Sequence, residues 1–338
     1  MSNVIVVQDR FDGAWPFAAN YWYEKWSLLG KVELIRQVDE EKPLSALLKG
    51  FSSISRLVVL GIPITTNCIN FTAKIKEVYI ETYSEKAILE KLKSAWKERG
   101  TIFIERKTEG MWGQSVSEFG LALTLAGLRR IPQEHIGVLT KSDVWNHKPQ
   151  VGNGRPGLQG HQYSDTSDFT SGTIEGKRIR IIGAGNIASR YASFVKFLGA
   201  DVASWDPFAS EPCFHRSGSR QIHHIKELIK DAEILVPMLP LTDSTRGLVT
   251  KEYIDLIPKK ALVVMVTRME ICDYKRLYER VSNNELALAA DVFDIEPLPV
   301  DHVLVGRENV VHTPHIAGRT KQANESFSQA LMNQFTPI

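Results

Sequence analysis

Three residues late in the chain, Arg268, Glu296 and His315, have the types that a hydride-transfer reaction needs. Moving a hydride to or from a carbon that bears a hydroxyl requires an acid or base on the oxygen. It also requires a group that orients the substrate and a nicotinamide held on one face. Histidine serves as general acid and base near neutral pH, so His315 with the carboxylate of Glu296 makes a competent dyad. A guanidinium can grip a carboxylate and its neighbouring carbonyl oxygen, and it stabilises charge that develops on the latter. Arg268 can do that work. Each residue taken singly is an ordinary loop residue, and what unites them is position. Arg268 follows a strand expected over Ala261–Val266, Glu296 follows one over Leu286–Ala290 by way of Asp291-Val292-Phe293, and His315 follows one over Val310–His312.

A cofactor half precedes them. From Lys177 to Pro207 the chain reads strand, Gly-rich turn, helix, strand, acid. Gly183 permits the tight turn, Gly185 lets the backbone approach a pyrophosphate, and Ala188 is small enough for close helix-on-strand packing. The turn runs through Asn186 and Ile187 into the helix, whose N-terminus offers unpaired N–H groups and a positive dipole end to phosphates. Asp206, about twenty residues beyond the glycines, stands where a carboxylate accepts ribose hydroxyls. The same charge would repel a ribose phosphate, so the cofactor is expected to be NAD rather than NADP.

The elements that must position these residues alternate along the chain. Short apolar runs at Val4–Val7, Val32–Ile35, Leu57–Leu60, Val78–Ile80 and Ile102–Ile104 are separated by helical patterns, which implies a parallel sheet with crossover helices. A long, nearly all-apolar helix is expected over Ser115–Arg129, buried on more than one side as at a domain junction or subunit interface. The stretch from Asn146 to Thr173 is rich in Gly, Ser, Asp, Gln and Pro and reads as a lid, a partner contact, a mobile segment or a solvated insertion. The rhythm then resumes, with further strands at Ile179–Ile182, Val202–Trp205 and Ile234–Val236 and helices at Ile225–Lys230, Lys251–Leu256 and Tyr274–Glu279. This makes a doubly wound, dinucleotide-binding sheet, whose ligands bind beyond the carboxyl ends of its strands.

The composition, 43% apolar and 24% charged over 338 residues, is that of a globular chain long enough for two domains. A net charge of +2 supplies no global field for nucleic acid or a membrane surface. Cys68, Cys213 and Cys272 are far apart and odd in number, which suggests a reducing compartment without a disulfide framework or zinc site. No signal or membrane-spanning pattern is present, so a cytoplasmic location is expected. His223 and His224 are adjacent rather than spaced for a shared metal. His302 and His312 are rivals of His315 by proximity in sequence, and Trp112 could line a substrate cleft or fill a domain junction.

Several blocks together resemble the NAD-dependent D-isomer-specific 2-hydroxyacid dehydrogenases. They are Trp205-Asp206-Pro207, Leu239-Pro240-Leu241-Thr242 with Thr245 and Arg246, Thr267-Arg268 with Asp273, Ala290 to Pro299, and Thr313-Pro314-His315-Ile316-Ala317-Gly318. They fall in the family's order from about Ser115 to Thr320. The resemblance implies that Arg268 orients substrate, His315 is the acid/base and Glu296 its partner. It adds Pro240, Thr245, Thr267 and Asp291 to the NAD-contacting set. It also implies a Rossmann domain over residues 114–315, inserted into a smaller flavodoxin-like α/β substrate domain formed by 1–113 and 316–338. Hinges between the two would close a cleft over a 2-hydroxy or 2-oxo acid. A homodimer is implied, with the long helix near its interface.

The chain departs from the family in its first domain, where Ile80-Glu81-Thr82-Tyr83-Ser84-Glu85 replaces a Gly-rich substrate loop. Met265 stands where the family has Asn and Met269 where it has Gly. Two other readings therefore stay open. One is an NAD-binding regulatory protein without activity, and the other is an enzyme acting on a larger, sugar-derived substrate.

Overall fold

A computed structural model describes residues 2–39, 41–105, 111–145, 165 and 168–337. Most of the Asn146 to Thr173 stretch lies outside the described residues. The chain forms two compact units, Met1–Met111 with Arg319–Ile338, and Trp112–Gly318.

The first unit holds β1 (Ser2–Gln8), β2 (Val32–Gln37), β3 (Ser53–Leu60), β4 (Lys74–Glu81) and β5 (Ile102–Phe103). They are parallel and ordered β2-β1-β3-β4-β5. Inner strands of such a sheet are covered on both faces, so they read as unbroken apolar runs rather than alternating ones. Val4 to Val7 and Leu57 to Leu60 are fully buried accordingly. The last helix, Lys321–Met332, completes this unit. Ser328 Oγ donates to Ala18 O at 2.8 Å and Tyr21 Oη to Gln329 Oε1 at 2.9 Å, while Trp22 meets Phe327 and Phe335 edge-on. Beyond that helix, Thr336 donates its N–H and hydroxyl to the buried Glu77 at 2.9 and 2.7 Å, and Arg56 donates to Thr336 O.

The second unit holds β6 (Arg178–Ile182), β7 (Asp201–Trp205), β8 (Arg220–Gln221), β9 (Ile234–Pro237), β10 (Leu262–Met265), β11 (Ala287–Ala290) and β12 (Val310–His312). All run parallel, in the order β12-β11-β10-β9-β6-β7-β8. Period-two alternation sends successive side chains to opposite faces, and two cores result. Ile179, Ile181, Leu262 and Val264 pack with Val116, Leu123 and Tyr191 on one face. Ile182, Val263 and Met265 pack with Leu228, Ile254 and Leu277 on the other. The long helix, observed as Gly113–Arg129, supplies the first face. A second helix, Ile131–Thr140, follows it directly and buries none of its residues.

The amino ends of the central strands carry a charge network. Arg180, with its side chain 2% exposed, donates to Asp201 Oδ2 at 2.8 Å, to Asp201 O at 2.8 Å and to the carboxylate of Asp231. The hydrogen bond from Arg180 holds the Asp201 carboxyl below the usual carboxylate range. A carboxyl depressed in the folded state stabilises the fold at pH values above its unfolded pKa, about 3.9, and that contribution is lost as pH falls through the folded value. Asp201→Asn should therefore lower the denaturation midpoint at neutral pH. Its difference from the wild type should shrink as the pH drops below about 4. Denaturant titrations of both proteins across that range check this, and a difference independent of pH would contradict it.

Candidate active site

The turn after β6 is shaped by what it must avoid. Gly183 has φ +118°, and a Cβ there would lie 2.6 Å from Met238 O. Its N–H donates to Trp205 O at 2.8 Å, which ties the turn to the end of β7. Asp206 braces the same corner, accepting from Ala184 N at 2.9 Å and from Phe208 N and Ala209 N at 2.9 and 3.1 Å. A carboxylate has about four lone-pair sites, so one remains for a ribose hydroxyl. A Cβ on Gly185 would meet nothing within 4 Å, and the helix Asn186–Phe197 that starts there has no side-chain cap. Open space over a glycine beside unbonded first-turn N–H groups is what a pyrophosphate requires. These residues fit NAD.

The other expected cofactor contacts are spread along the same carboxyl edge. The Asn186 side chain accepts from Arg190 Nε at 2.9 Å, which leaves its backbone N–H at the turn, and Ile187 packs against the core. After β9, Thr245 Oγ1 donates to Pro240 O at 2.6 Å and accepts from Thr242 N at 2.8 Å, closing a small loop. Thr267 is 7% exposed. Its hydroxyl lies 3.4 Å from Pro237 O.

Past β11 and β12 the dyad forms. His315 Nδ1 lies 2.6 Å from Glu296 Oε2, and Glu296 Oε1 accepts from Phe293 N at 2.9 Å. An ionised carboxylate only accepts, so Nδ1 is the donor and Nε2 is the ring nitrogen outside the pair. The two side chains are 30% and 36% exposed, accessible to a substrate. His315 has φ +55°, in the left-handed region where His is among the few residues enriched.

The histidine loop is held from below by Asp291, which is fully buried. Its carboxylate accepts from Thr313 Oγ1 at 2.6 Å, Ile316 N at 3.0 Å and Ala317 N at 2.8 Å, and its own N–H donates to Met265 O at 2.9 Å. Ser115, on the long helix, donates to Ala317 O at 2.5 Å. Trp112 lies under Gly318, where an added Cβ would be 3.3 Å from its ring. The sequence singled out neither Ser115 nor the bracing role of Asp291. A serine in a helix and an acid after a strand carry no signal for a particular distant partner.

Arg268 stands past β10, next to β11 in the sheet, and is exposed. It donates from Nη1 to Thr267 O at 2.6 Å; among the described residues no carboxylate pairs with it, and no hydrogen bond joins it to the dyad. Met265 and Met269 are both fully buried. Met265 Sδ lies 3.9 Å from the Cys272 thiol, whose pKa burial pushes up to about 12. Both methionines therefore serve the core rather than the edge. The imidazole of His302 faces Tyr278 and that of His312 is exposed; among the described residues neither is bonded to Glu296.

Residues 122–317, more than half of the chain, match the family profile described as D-isomer specific 2-hydroxyacid dehydrogenase, NAD binding domain. The chain belongs to that family. Among curated relatives of this dehydrogenase family, D-3-phosphoglycerate dehydrogenase of Methanocaldococcus jannaschii is 29% identical over 66% of this chain and 39% of its own length. The Bacillus subtilis protein of the same name is 33% identical over 62% of this chain and 36% of its own length. The match thus spans well under half the length of these two. Hydroxypyruvate reductase of Thermotoga maritima is 28% identical over 67% of this chain and 66% of its length. In fold, the chain is similar to a D-lactate dehydrogenase from Treponema pallidum, with TM-score 0.70 and 20% identity over 98% of this chain and 95% of the other. Among the described residues no helix is long and apolar enough to cross a membrane, and no His, Cys, Asp and Glu cluster could hold a metal ion.

Proposed function

We propose that this chain is an NAD-dependent oxidoreductase that interconverts a 2-oxo acid and a 2-hydroxy acid, with His315 as acid/base, Glu296 as its partner and Arg268 as the group that orients substrate. The observation that carries the reading is the 2.6 Å contact between His315 Nδ1 and Glu296 Oε2 at the carboxyl edge of a sheet built to bind NAD. When bound, the nicotinamide supplies or accepts the hydride. In the reducing direction His315 Nε2 gives a proton to the oxygen of the reacting carbonyl, and Glu296 stabilises and orients the imidazole through Nδ1. The Arg268 guanidinium holds the carboxylate beside that carbonyl and lowers the energy of the charge that builds on its oxygen. Asp206, the backbone at Asn186 and Ile187, and the walls formed by Pro240, Thr245 and Thr267 hold the cofactor. Asp291 holds the loop that carries His315.

The first unit is proposed to select the substrate. In the segment after β4, Thr82 Oγ1 donates to Ile62 O at 2.9 Å and accepts from Ser84 N at 3.2 Å, while Ser84 Oγ accepts from Ile64 N at 2.7 Å. Both hydroxyls and the Ser84 N–H are thus engaged, within the loop or with the segment that follows β3. This favours a substrate whose carboxylate is held chiefly by Arg268. We further propose a homodimer, because the helix Ile131–Thr140 leaves Ile131, Ile136, Val138 and Leu139 about half or more exposed and solvent-facing apolar stripes of this kind mark interfaces. Three free cysteines support a reducing, cytoplasmic setting.

NADH oxidation with a panel of 2-oxo acids tests the reading, and absence of turnover with every member would overturn it. Arg268→Lys keeps the charge but loses the planar fork, so kcat/KM for the 2-oxo acid should fall about 100-fold. The dissociation constant for NADH should stay unchanged. Unaltered kcat/KM in that variant would remove Arg268 from the mechanism.

A further inference from the structure

We propose that Tyr278 is a positioning residue for the dyad, fixing the loop that carries Glu296 so that its carboxylate meets His315; this rests on the assignment of Glu296 and His315 above. Tyr278 lies in the helix Tyr274–Ser282 and is 7% exposed. Its hydroxyl donates to Asp294 Oδ1 at 2.8 Å, and its ring meets the imidazole of His302 edge-on, with centroids 5.3 Å apart. Asp294 and His302 bracket Glu296 in the chain. Besides the burial of Val292 and Phe293 and the packing of Leu298 against the core, the loop is held by the Asp291 N–H on Met265 O, by Asp294 on the Tyr278 hydroxyl, and by His302 on the Tyr278 ring.

Glu296 hangs between the last two of these. Its chain neighbours Ile295 and Pro297 are exposed, so packing does little to hold the residues that directly flank it, although Leu298 rests on the core. Polar contacts must supply the order that burial does not, against the rotamer and backbone freedom of an exposed segment. A hydroxyl bonded to a carboxylate is charge-assisted and stronger than a neutral pair. Burial, followed by the bond to Asp294, pushes the Tyr278 phenol above its usual range, which keeps it the donor. A 2.6 Å contact between Glu296 and His315 tolerates little drift in the loop, and misplacement by about 1 Å can cost on the order of 100-fold in rate.

Tyr278→Phe removes only the hydroxyl and keeps the ring against His302. In this variant kcat for the 2-oxo acid should fall about tenfold, with NADH binding unchanged. Asp294→Asn retains an acceptor oxygen without the charge and should lose less than Asp294→Ala, which should repeat the Tyr278→Phe loss. The double variant Tyr278→Phe with Asp294→Ala should lose no more than either alone. Nitrogen NMR of the His315 imidazole in its neutral form gives a readout independent of turnover, assigned by its absence in His315→Asn. Because the tautomer follows the hydrogen bond that a ring nitrogen makes, the wild type should hold its proton on Nδ1, and Tyr278→Phe should move it toward Nε2. Wild-type kcat in Tyr278→Phe and Asp294→Ala overturns the proposal. So does a fall in kcat with unmoved imidazole resonances, the mark of a merely structural role. If Tyr278→Phe does not fold, Asp294→Ala decides alone. A wild-type chain that turns over no 2-oxo acid refutes the catalytic assignment, and the resonances still decide whether Tyr278 positions Glu296.

Discussion

His315→Asn is expected to lower kcat for 2-oxo acid reduction by about 10²–10⁴-fold, the span attributed to a positioned general acid or base. NADH affinity should stay within about twofold of wild type, because the glycine turn and Asp206 are untouched. Asparagine is the substitution of choice because the site has φ +55°, and Asn, like His, adopts the left-handed region at modest cost. An alanine there would mix backbone strain with lost chemistry. Glu296→Gln should give a smaller loss than His315→Asn, since the amide keeps an oxygen near Nδ1 but not the charge. Steady-state kinetics together with NADH fluorescence titration separates the two effects. A kcat within threefold of wild type in His315→Asn would refute the acid/base assignment.

The second large effect is expected at Gly183. Alanine at that position must accept φ +118° and must also place a Cβ 2.6 Å from Met238 O, a backbone atom that cannot swing aside. Strain in a region closed to side chains costs about 1–3 kcal/mol and overpacking a similar amount, so a loss of about 2–6 kcal/mol is expected. Relief by shifting the turn would disturb the Ala184 N–H on Asp206 and the helix start that meets the pyrophosphate. Gly183→Ala should therefore lose both stability and NADH binding. Gly185→Ala is the contrasting case. It has no positive φ and free space around its Cβ, so it should fold normally and weaken only the dinucleotide. Thermal unfolding with and without NADH tells them apart: saturating ligand raises the apparent stability of the wild type and should do so much less in either variant. Wild-type Tm and NADH affinity in Gly183→Ala would show that the turn yields freely.

Among the described residues eleven of the twelve strands coincide with apolar runs, and the pattern is clearest where a strand is buried along nearly its whole length, as in β1, β3, β9, β10 and β11. β8, two residues long, leaves none; it is fixed by pairing with β7, not by its own composition. The helix Ile131–Thr140 is hard to read from sequence for a different reason. The helix expected over Ser115–Arg129 ends where the observed one does, since Arg130 has φ +51°. Pro132 in the first turn of a new helix was the missed cue. The Glu296 and His315 contact was legible because both residues follow neighbouring strands of one sheet. The sequence marks Asp291 as a cofactor contact, and the structure adds that its carboxylate accepts from Thr313, Ile316 and Ala317, a bracing role that spacing alone does not signal. Tyr278 gave no signal, since a tyrosine on an amphipathic helix looks the same whether or not a loop is anchored to it.

The proposed site and the charge network occupy opposite ends of the second sheet. Arg180 and its aspartates sit where the strands begin, whereas Arg268, Glu296 and His315 sit where they finish. Substitutions in the loops beyond β9 to β12 thus act on residues that do not support the charge network. That separation also makes the carboxyl-edge loops the natural place to alter ligand preference, with the amino edge left alone as the anchor that keeps such variants folded.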